Sequence, residues 1–324
     1  MEVGVYVLGM HRSGTSAATR LISFLGLDTP RGDDLVPPSR KNPKGYWESM
    51  SLVALNIRIL EAIGSDFSCP AVLEPGWEND DRLLDLRREA PAVFRDAYPR
   101  SPWVWKDPRM CLTFAFWRTL LEVQPLVVLV NRNPFEIVAS SARTRGEEER
   151  IYMIAMWERY LRQALVQVEG LPVLVVDYAD VLGAPLDLCE RAGRFLSRAG
   201  VTVQAPPERE VLEFVDSTLR HSEFGRDDFL EAPDVTEPQR RLFTTLETLN
   251  GEHASFVAPT LPAETSSTDA LMAERRRARQ RERELTRLLE LERSRRLRNS
   301  RVAAPAARLY AGVRRRFGRN GEPG

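Results

Sequence analysis

The densest chemistry in the chain lies in residues 3–16. An apolar, β-branched run from Val3 to Leu8 ends at Gly9. Arg12-Ser13-Gly14-Thr15-Ser16 follows, and an apolar stretch from Ala17 to Leu27 comes next. A strand that turns through glycines into a helix start aims several backbone N–H groups, and the positive end of the helix dipole, at one point. That is a cradle for an anion, most often a phosphate. The spacing from Gly9 to Gly14 fits the G-x-x-x-x-G skeleton of phosphate-binding loops, but Thr15 stands where the nucleoside-triphosphate version carries lysine. The cation has moved inside the loop, to Arg12. A triphosphate enzyme also needs an aspartate to hold magnesium; Asp107 and Asp177 are the candidates, and both sit in other patterns. The chemistry expected is magnesium-independent, on a donor with one 5′ anionic group.

Three further clusters stand at the ends of apolar runs. Pro125 to Val130 reads as a buried parallel strand, followed by Asn131-Arg132-Asn133-Pro134-Phe135-Glu136. Asn133 suits an N-cap, Pro134 the first helical position and Glu136 a capping box, so Arg132 ends the strand and Ser140 lies on the second helical turn. Leu171 to Asp177 is another buried strand, with Tyr178 after it. Trp103 to Lys106 is a third, ending in Lys106-Asp107-Pro108-Arg109. Glu48 lies in a Gly/Pro-rich aromatic loop, Asn42-Pro43-Lys44-Gly45-Tyr46-Trp47-Glu48, just before an amphipathic helix from Leu52 to Ile63. Each has an ordinary alternative: a solvated strand-end charge, a packed aromatic, or a carboxylate facing a helix dipole.

Over roughly residues 3–185 these patterns resemble the sulfotransferases that use 3′-phosphoadenosine 5′-phosphosulfate, in the bacterial carbohydrate and tyrosylprotein branch. The resemblance implies that Arg12, Ser13, Gly14, Thr15 and Ser16 hold the phosphosulfate end of the donor. It implies that Arg132 and Ser140, eight residues apart, grip the 3′-phosphate, and that Tyr178 lies near the adenine; Ala179 replaces the acidic residue of the family's Tyr-Glu-Asp-Leu segment. Lys106 resembles the lysine of the Lys-Asp-Pro segment. With Arg12, it would neutralise charge on the departing phosphate. Glu48 would be the general base, with His11, His221 and Asp107 as rivals, and Arg220 a further phosphate contact. Cations preset around a leaving oxygen stabilise such a transition state, and a positioned base is worth ~10²–10⁴-fold. No metal is implied. Two other readings stay open: a small-molecule kinase using ATP and magnesium, and a non-catalytic scaffold acting through a basic tail. The acceptor, an OH or amine on a carbohydrate, glycolipid or small metabolite, is not specified.

Strand patterns at 3–9, 102–106, 125–131 and 172–177 alternate with helical patterns at 14–26, 50–63, 80–96, 110–122, 134–144, 148–169, 185–199 and 207–219. This alternation argues an α/β fold, a P-loop-like parallel sheet flanked by helices on both faces, with the strand-end loops gathered along one edge. The 324 residues, 43% of them apolar, can supply such a core. Residues 1–255 form this domain, 256–268 a linker, and 269–324 a basic, mainly helical or partly disordered tail. Residues 264–324 hold 17 arginines against 8 acids, leaving 29 basic and 38 acidic residues in the body of a chain that is neutral overall. The aromatic and arginine mixture from Ala307 to Phe317 suits an anionic membrane surface, and the absence of a reading motif argues against nucleic acid. Three scattered cysteines give no metal spacing and suit a reducing compartment. A cytoplasmic protein, membrane-peripheral through its tail, is expected.

Overall fold

The computed structural model describes residues 2–40, 42–141, 147–215 and 223–317. Their elements, in order, are β1 (Glu2–Leu8), α1 (Thr15–Ser23), α2 (Met50–Ala62), α3 (Leu84–Ala97), β2 (Trp103–Lys106), α4 (Met110–Arg118), β3 (Val123–Asn131), α5 (Pro134–Ser140), α6 (Glu147–Gln167), β4 (Val173–Asp177), α7 (Tyr178–Gly183), α8 (Pro185–Arg198), α9 (Glu208–Phe214), α10 (Arg226–Leu230), α11 (Glu237–Thr248), β5 (Gly251–His253) and α12 (Ser266–Phe317). Two compact units divide the chain at Ala273: Met1–Ala273, and Glu274–Gly324, which holds most of α12.

The five strands form one sheet in the order β2-β1-β3-β4-β5. The pairs β1–β2, β1–β3 and β3–β4 are parallel, while β5 closes the edge antiparallel to β4. That edge pairing was not expected, because Gly251-Glu252-His253 has no apolar residue to announce a strand. α7, α10 and α11 were likewise not among the expected helices. Several expected helices end early: α1 at Ser23, α4 at Arg118 and α5 at Ser140. The expected extensions over 142–144 and 216–219 fall outside the described residues.

Alternate residues of each parallel strand face opposite helical layers, as the two-residue strand period requires. Tyr6, Leu8, Trp103, Trp105, Val127, Leu129, Val173 and Val175 pack with α2, α3, α4, α6 and α11. Val5, Val7, Val104, Leu126, Val128, Val130, Leu174 and Val176 pack with α1, α8 and α9. The first layer is rich in aromatics. Tyr6 meets Trp103 edge-on at 5.1 Å, and Trp105 meets Trp117 at 4.7 Å, favourable geometries for ring quadrupoles.

Residues 256–268 belong to the first unit. Phe256 is fully buried, and Glu264 pairs with the buried Arg159 of α6. Helix α12 begins at Ser266. The side chains of the aromatic and arginine stretch 307–317 lie outside those described. No helix among the described residues is long and apolar enough to cross a membrane.

The topology decides where the chemistry gathers. From β1 the chain goes to β2 on one side, then returns to β3 on the other, so the loops after β1 and β3 diverge and leave a crevice at their carboxyl ends. The register aligns Val7 with Lys106, Leu8 with Leu129 and Asn131 with Asp177. Residues about 95, 120 and 165 positions beyond the first loop thus come to one edge.

Candidate active site

The cradle is built by backbone strain as well as by glycine. Gly14, at φ +92, precedes α1, and a Cβ there would stand 2.2 Å from Cδ2 of Tyr178. Only glycine allows Tyr178 to close on the loop. Arg12 itself is left-handed at φ 69, and so is Trp47, next to Glu48, at φ 58. Non-glycine residues held in this region are costly and concentrate at functional sites. The loop is tied down at its start by the Gly9 N–H, which donates to Cys111 Sγ at 3.1 Å. First-turn amides of α1 have no intrahelical acceptor, and Gly14, Thr15 and Ser16, which supply them, line the cavity.

This cavity, about 280 Å³, is lined by Arg12, Gly14, Thr15, Ser16, Glu48, Lys106, Arg132, Ser140 and Tyr178. Nine of the ten residues expected at the site therefore line one cavity. Ser13 is the one that does not join them. It is 1% exposed, its hydroxyl donates to the Met10 carbonyl at 2.6 Å, and its N–H donates to the same oxygen. Ser13 shapes the loop and turns no group to the cavity.

Arg132 and Ser140 meet the first loop directly. Arg132 Nη1 donates to the Arg12 carbonyl at 2.7 Å and Nε to Glu136 Oε2 at 2.9 Å, while its guanidinium lies 3.8 Å from the centre of the Tyr178 ring. Arg12 Nε donates to Ser140 Oγ at 3.1 Å and Nη2 to the Ser140 carbonyl at 2.9 Å. The Arg12 head is thus engaged with Ser140. Lys106, the other cation expected at the leaving group, ion-pairs with Glu48 Oε1 and donates to Ser16 Oγ at 3.1 Å. Burial lowers the Arg12 guanidinium below its usual value. Cations dominate the lining: Arg12, Arg40, Lys44, Lys106 and Arg132 face one carboxylate, Glu48. Such a set favours a ligand carrying several negative charges.

Glu48 is 8% exposed. Ser49, which follows it, caps α2 by accepting from the Leu52 N–H at 3.1 Å, and Asp34 accepts from the Ser51 N–H and hydroxyl. The carboxylate is therefore presented from an anchored helix start. His11 also lines the cavity. The Tyr160 hydroxyl gives its proton to the Phe67 carbonyl at 2.6 Å, so His11 Nε2, 3.1 Å from that hydroxyl oxygen, is the donor and carries the imidazole hydrogen. Burial first, then the charge of Arg109, pushes His11 down to about 3. Asp107 sits behind the site, below its usual range: burial works to raise it, and Arg109 with the Asn56 amide outweighs this. His221 and Arg220 lie outside the described residues.

Several cavity residues were not anticipated. Leu182, Phe214 and Val215 form an apolar rim. Lys44 donates to the Phe214 carbonyl, holding the 42–46 segment over the loop, where Asn42 also reaches Ser16 Oγ at 3.4 Å. Nothing in the local sequence pairs positions 44 and 214. Asn56 was detectable: it is a polar residue on the buried face of α2, beside Leu52, Leu55 and Ile59. No group of three or more His, Cys, Asp or Glu side chains among the described residues could hold a metal ion.

No protein-family model matches the sequence, and no curated protein matches it. Two solved structures are similar in fold. The sulfotransferase domain from the curacin biosynthetic pathway has a TM-score of 0.41 and 14% identity over 85% of this chain and 97% of that one. The sulfotransferase domain from the Synechococcus PCC 7002 olefin synthase has a TM-score of 0.39 and 15% identity over 84% and 94%. What the cavity can do follows from its own side chains.

Proposed function

We propose that the chain transfers a sulfuryl group from 3′-phosphoadenosine 5′-phosphosulfate to an acceptor hydroxyl or amine. The observation that carries this reading is the joining of two anion grips in one cavity: the Gly14 loop, and the Arg132–Ser140 pair that touches it through Arg12. One nucleotide with phosphates on both sides of its ribose spans such a pair. Tyr178, Leu182, Phe214 and Val215 offer a face for its base, and Gly14 lets the loop approach closely.

In the transfer, the acceptor O–H gives its proton to Glu48 as its oxygen bonds to sulfur. The bond from sulfur to the bridging oxygen breaks, and the electron pair leaves with 3′,5′-adenosine bisphosphate. Lys106 stabilises the charge on that oxygen. Lys106 is paired with Glu48, so a turn of Lys106 to the donor would release Glu48 to act as base. Arg12, engaged with Ser140, belongs to the ribose-phosphate grip.

Calorimetry with 3′,5′-adenosine bisphosphate against ATP, both with chelator present, tests the reading. Binding of the bisphosphate without divalent cation is expected. Preference for ATP, or no binding of the bisphosphate, overturns it. A chain that needs magnesium and hydrolyses ATP would be the kinase instead.

A further inference from the structure

Glu48 has a second cation whose surroundings the transfer reading does not use. Arg109 Nη1 lies 3.9 Å from Glu48 Oε2 and donates to Asp107 Oδ1 at 2.8 Å, while the Arg109 backbone N–H donates to the same oxygen at 2.9 Å. Asp107 is fully buried, and Asn56 Nδ2 donates to its other oxygen at 2.9 Å. The Asn56 side chain is fixed in turn, its Oδ1 accepting from Trp117 Nε1 at 2.7 Å and from the Thr113 hydroxyl at 2.9 Å. From α4, through α2, to the catalytic carboxylate runs an unbroken polar chain inside an aromatic core. Arg109 Nε has no hydrogen-bond partner, and the guanidinium lies 4.6 Å from the centre of the Phe67 ring. A buried donor left unpaired is costly, so this arginine is held where it is by Asp107 and not by saturation of its own donors.

We infer that Asn56, Asp107 and Arg109 form a positioning unit for Glu48. Arg109 faces the carboxylate's second oxygen, and Asp107 cancels the arginine's charge so that Glu48 keeps its basicity when Lys106 turns away. The inference rests on the transfer reading above. The electrostatics are simple. A carboxylate between two uncompensated cations is a poor base, because an opposite charge within ~4–6 Å lowers its proton affinity by about one to three pH units. With Asp107 in place the four groups Glu48, Lys106, Asp107 and Arg109 sum to zero, and removing Lys106 from the set leaves one net negative charge on the side of Glu48.

Glu48 meets Lys106 at the end of β2 and Arg109 after it, and acts on Tyr98 after α3. Around those partners stand Asp107 and Tyr160 beside Arg109, His11 and Arg12 from the first loop beside Lys106, and Asp34 beside Tyr98. Both tyrosines are pushed well above their usual value by burial and His11 is held neutral, so they contribute no changing charge near neutral pH. Asp107 lies below its ordinary value and Arg109 above, as a charged pair should.

The test is an NMR titration of the full chain labelled with carboxyl-¹³C glutamate, the Glu48 signal being assigned by its loss in Glu48→Gln. Asp107→Asn should move the Glu48 midpoint about one pH unit lower, and Arg109→Gln should move it higher by a similar amount. The double variant, which buries no unpaired charge, should return near the wild-type midpoint. A merely structural role would move neither midpoint in opposite senses. Shifts of the same sign in the two single variants, or no shift in a folded one, overturn the inference. If one single variant fails to fold, the other and the double variant still give the sign. The titration uses no donor, so failure to bind the bisphosphate would remove the transfer reading, whereas unmoved midpoints would remove this assignment alone.

Discussion

Two of the buried ionic clusters among the described residues, around Arg159 and around Glu48, are built to opposite ends. Around Arg159 of α6 every guanidinium nitrogen is used: Nε and Nη2 go to Glu264, Nη1 to the Pro70 carbonyl at 2.9 Å, and Nη2 also to Asp269 at 3.2 Å. Around Glu48 the cluster opens on a cavity, stands beside left-handed Trp47, and contains an arginine nitrogen with no partner. The saturated cluster fixes where the chain after residue 256 is laid. The unsaturated one keeps Glu48 and Lys106 at a cavity wall where a ligand can reach them.

That contrast predicts that the two clusters fail differently. Arg159→Ala leaves Glu264 without its buried cation. It should cost about 3–5 kcal/mol of stability in chemical denaturation, the usual penalty for breaking one side of a buried pair. Bisphosphate affinity of the fraction that folds should stay at the wild-type value; a large affinity loss would show that the clusters are not separate. Lys106→Met should do the reverse. It should slow turnover of ³⁵S-labelled donor in a metabolite mixture by roughly 10²–10³-fold, as removal of a preset transition-state charge does elsewhere. The bisphosphate, which lacks the sulfuryl group, should still bind.

Within the cavity, the grip on the second phosphate separates further. Arg132→Ala removes a charged contact and the cation stacked on Tyr178, and should weaken bisphosphate binding about a hundredfold by calorimetry. Ser140→Ala removes one neutral donor and should weaken it about tenfold. If 3′-dephosphorylated adenosine 5′-phosphate lost equally in both variants, the pair would not be reading the 3′-phosphate.

How much of this was legible depended on how local the cause was. The Gly9-to-Gly14 spacing and the Arg132–Ser140 interval are short-range patterns, and each strand end that carries Lys106, Arg132 or Tyr178 is marked by an apolar run that stops at a polar residue. The parallel sheet followed from the same runs. Side-chain direction was not legible. Whether Ser13 looks into the cavity or back at Met10, and whether Arg12 reaches toward the leaving group or toward Ser140, is decided by a left-handed φ at residue 12 that non-glycine sequence does not announce. Contacts between distant segments were also hidden: Lys44 on the end of α9, and Arg159 on Glu264, join positions with no shared periodicity. β5 escaped because three polar residues can complete a sheet edge by backbone pairing alone.

The smallest expected effect concerns His11, which lies beside the reactive cluster yet is wired like the inert one. Its Nε2–H is committed to Tyr160 and burial pushes it down to about 3, against about 6.5 in an unfolded chain. Below pH 6.5 the unfolded state therefore binds a proton that the folded state refuses, and stability should fall as pH drops from about 6.5 toward 3. In His11→Gln, which retains an N–H donor for Tyr160, that part of the acid sensitivity should vanish, so the two stability curves coincide above pH 7 and separate below 6. Donor turnover should keep the same pH profile between 6 and 8 in the variant, since a neutral imidazole with no pH-dependent charge in that range cannot supply the limb. Loss of that limb in His11→Gln would make His11 the base in place of Glu48, and would move the centre of the chemistry from α2 to the first loop.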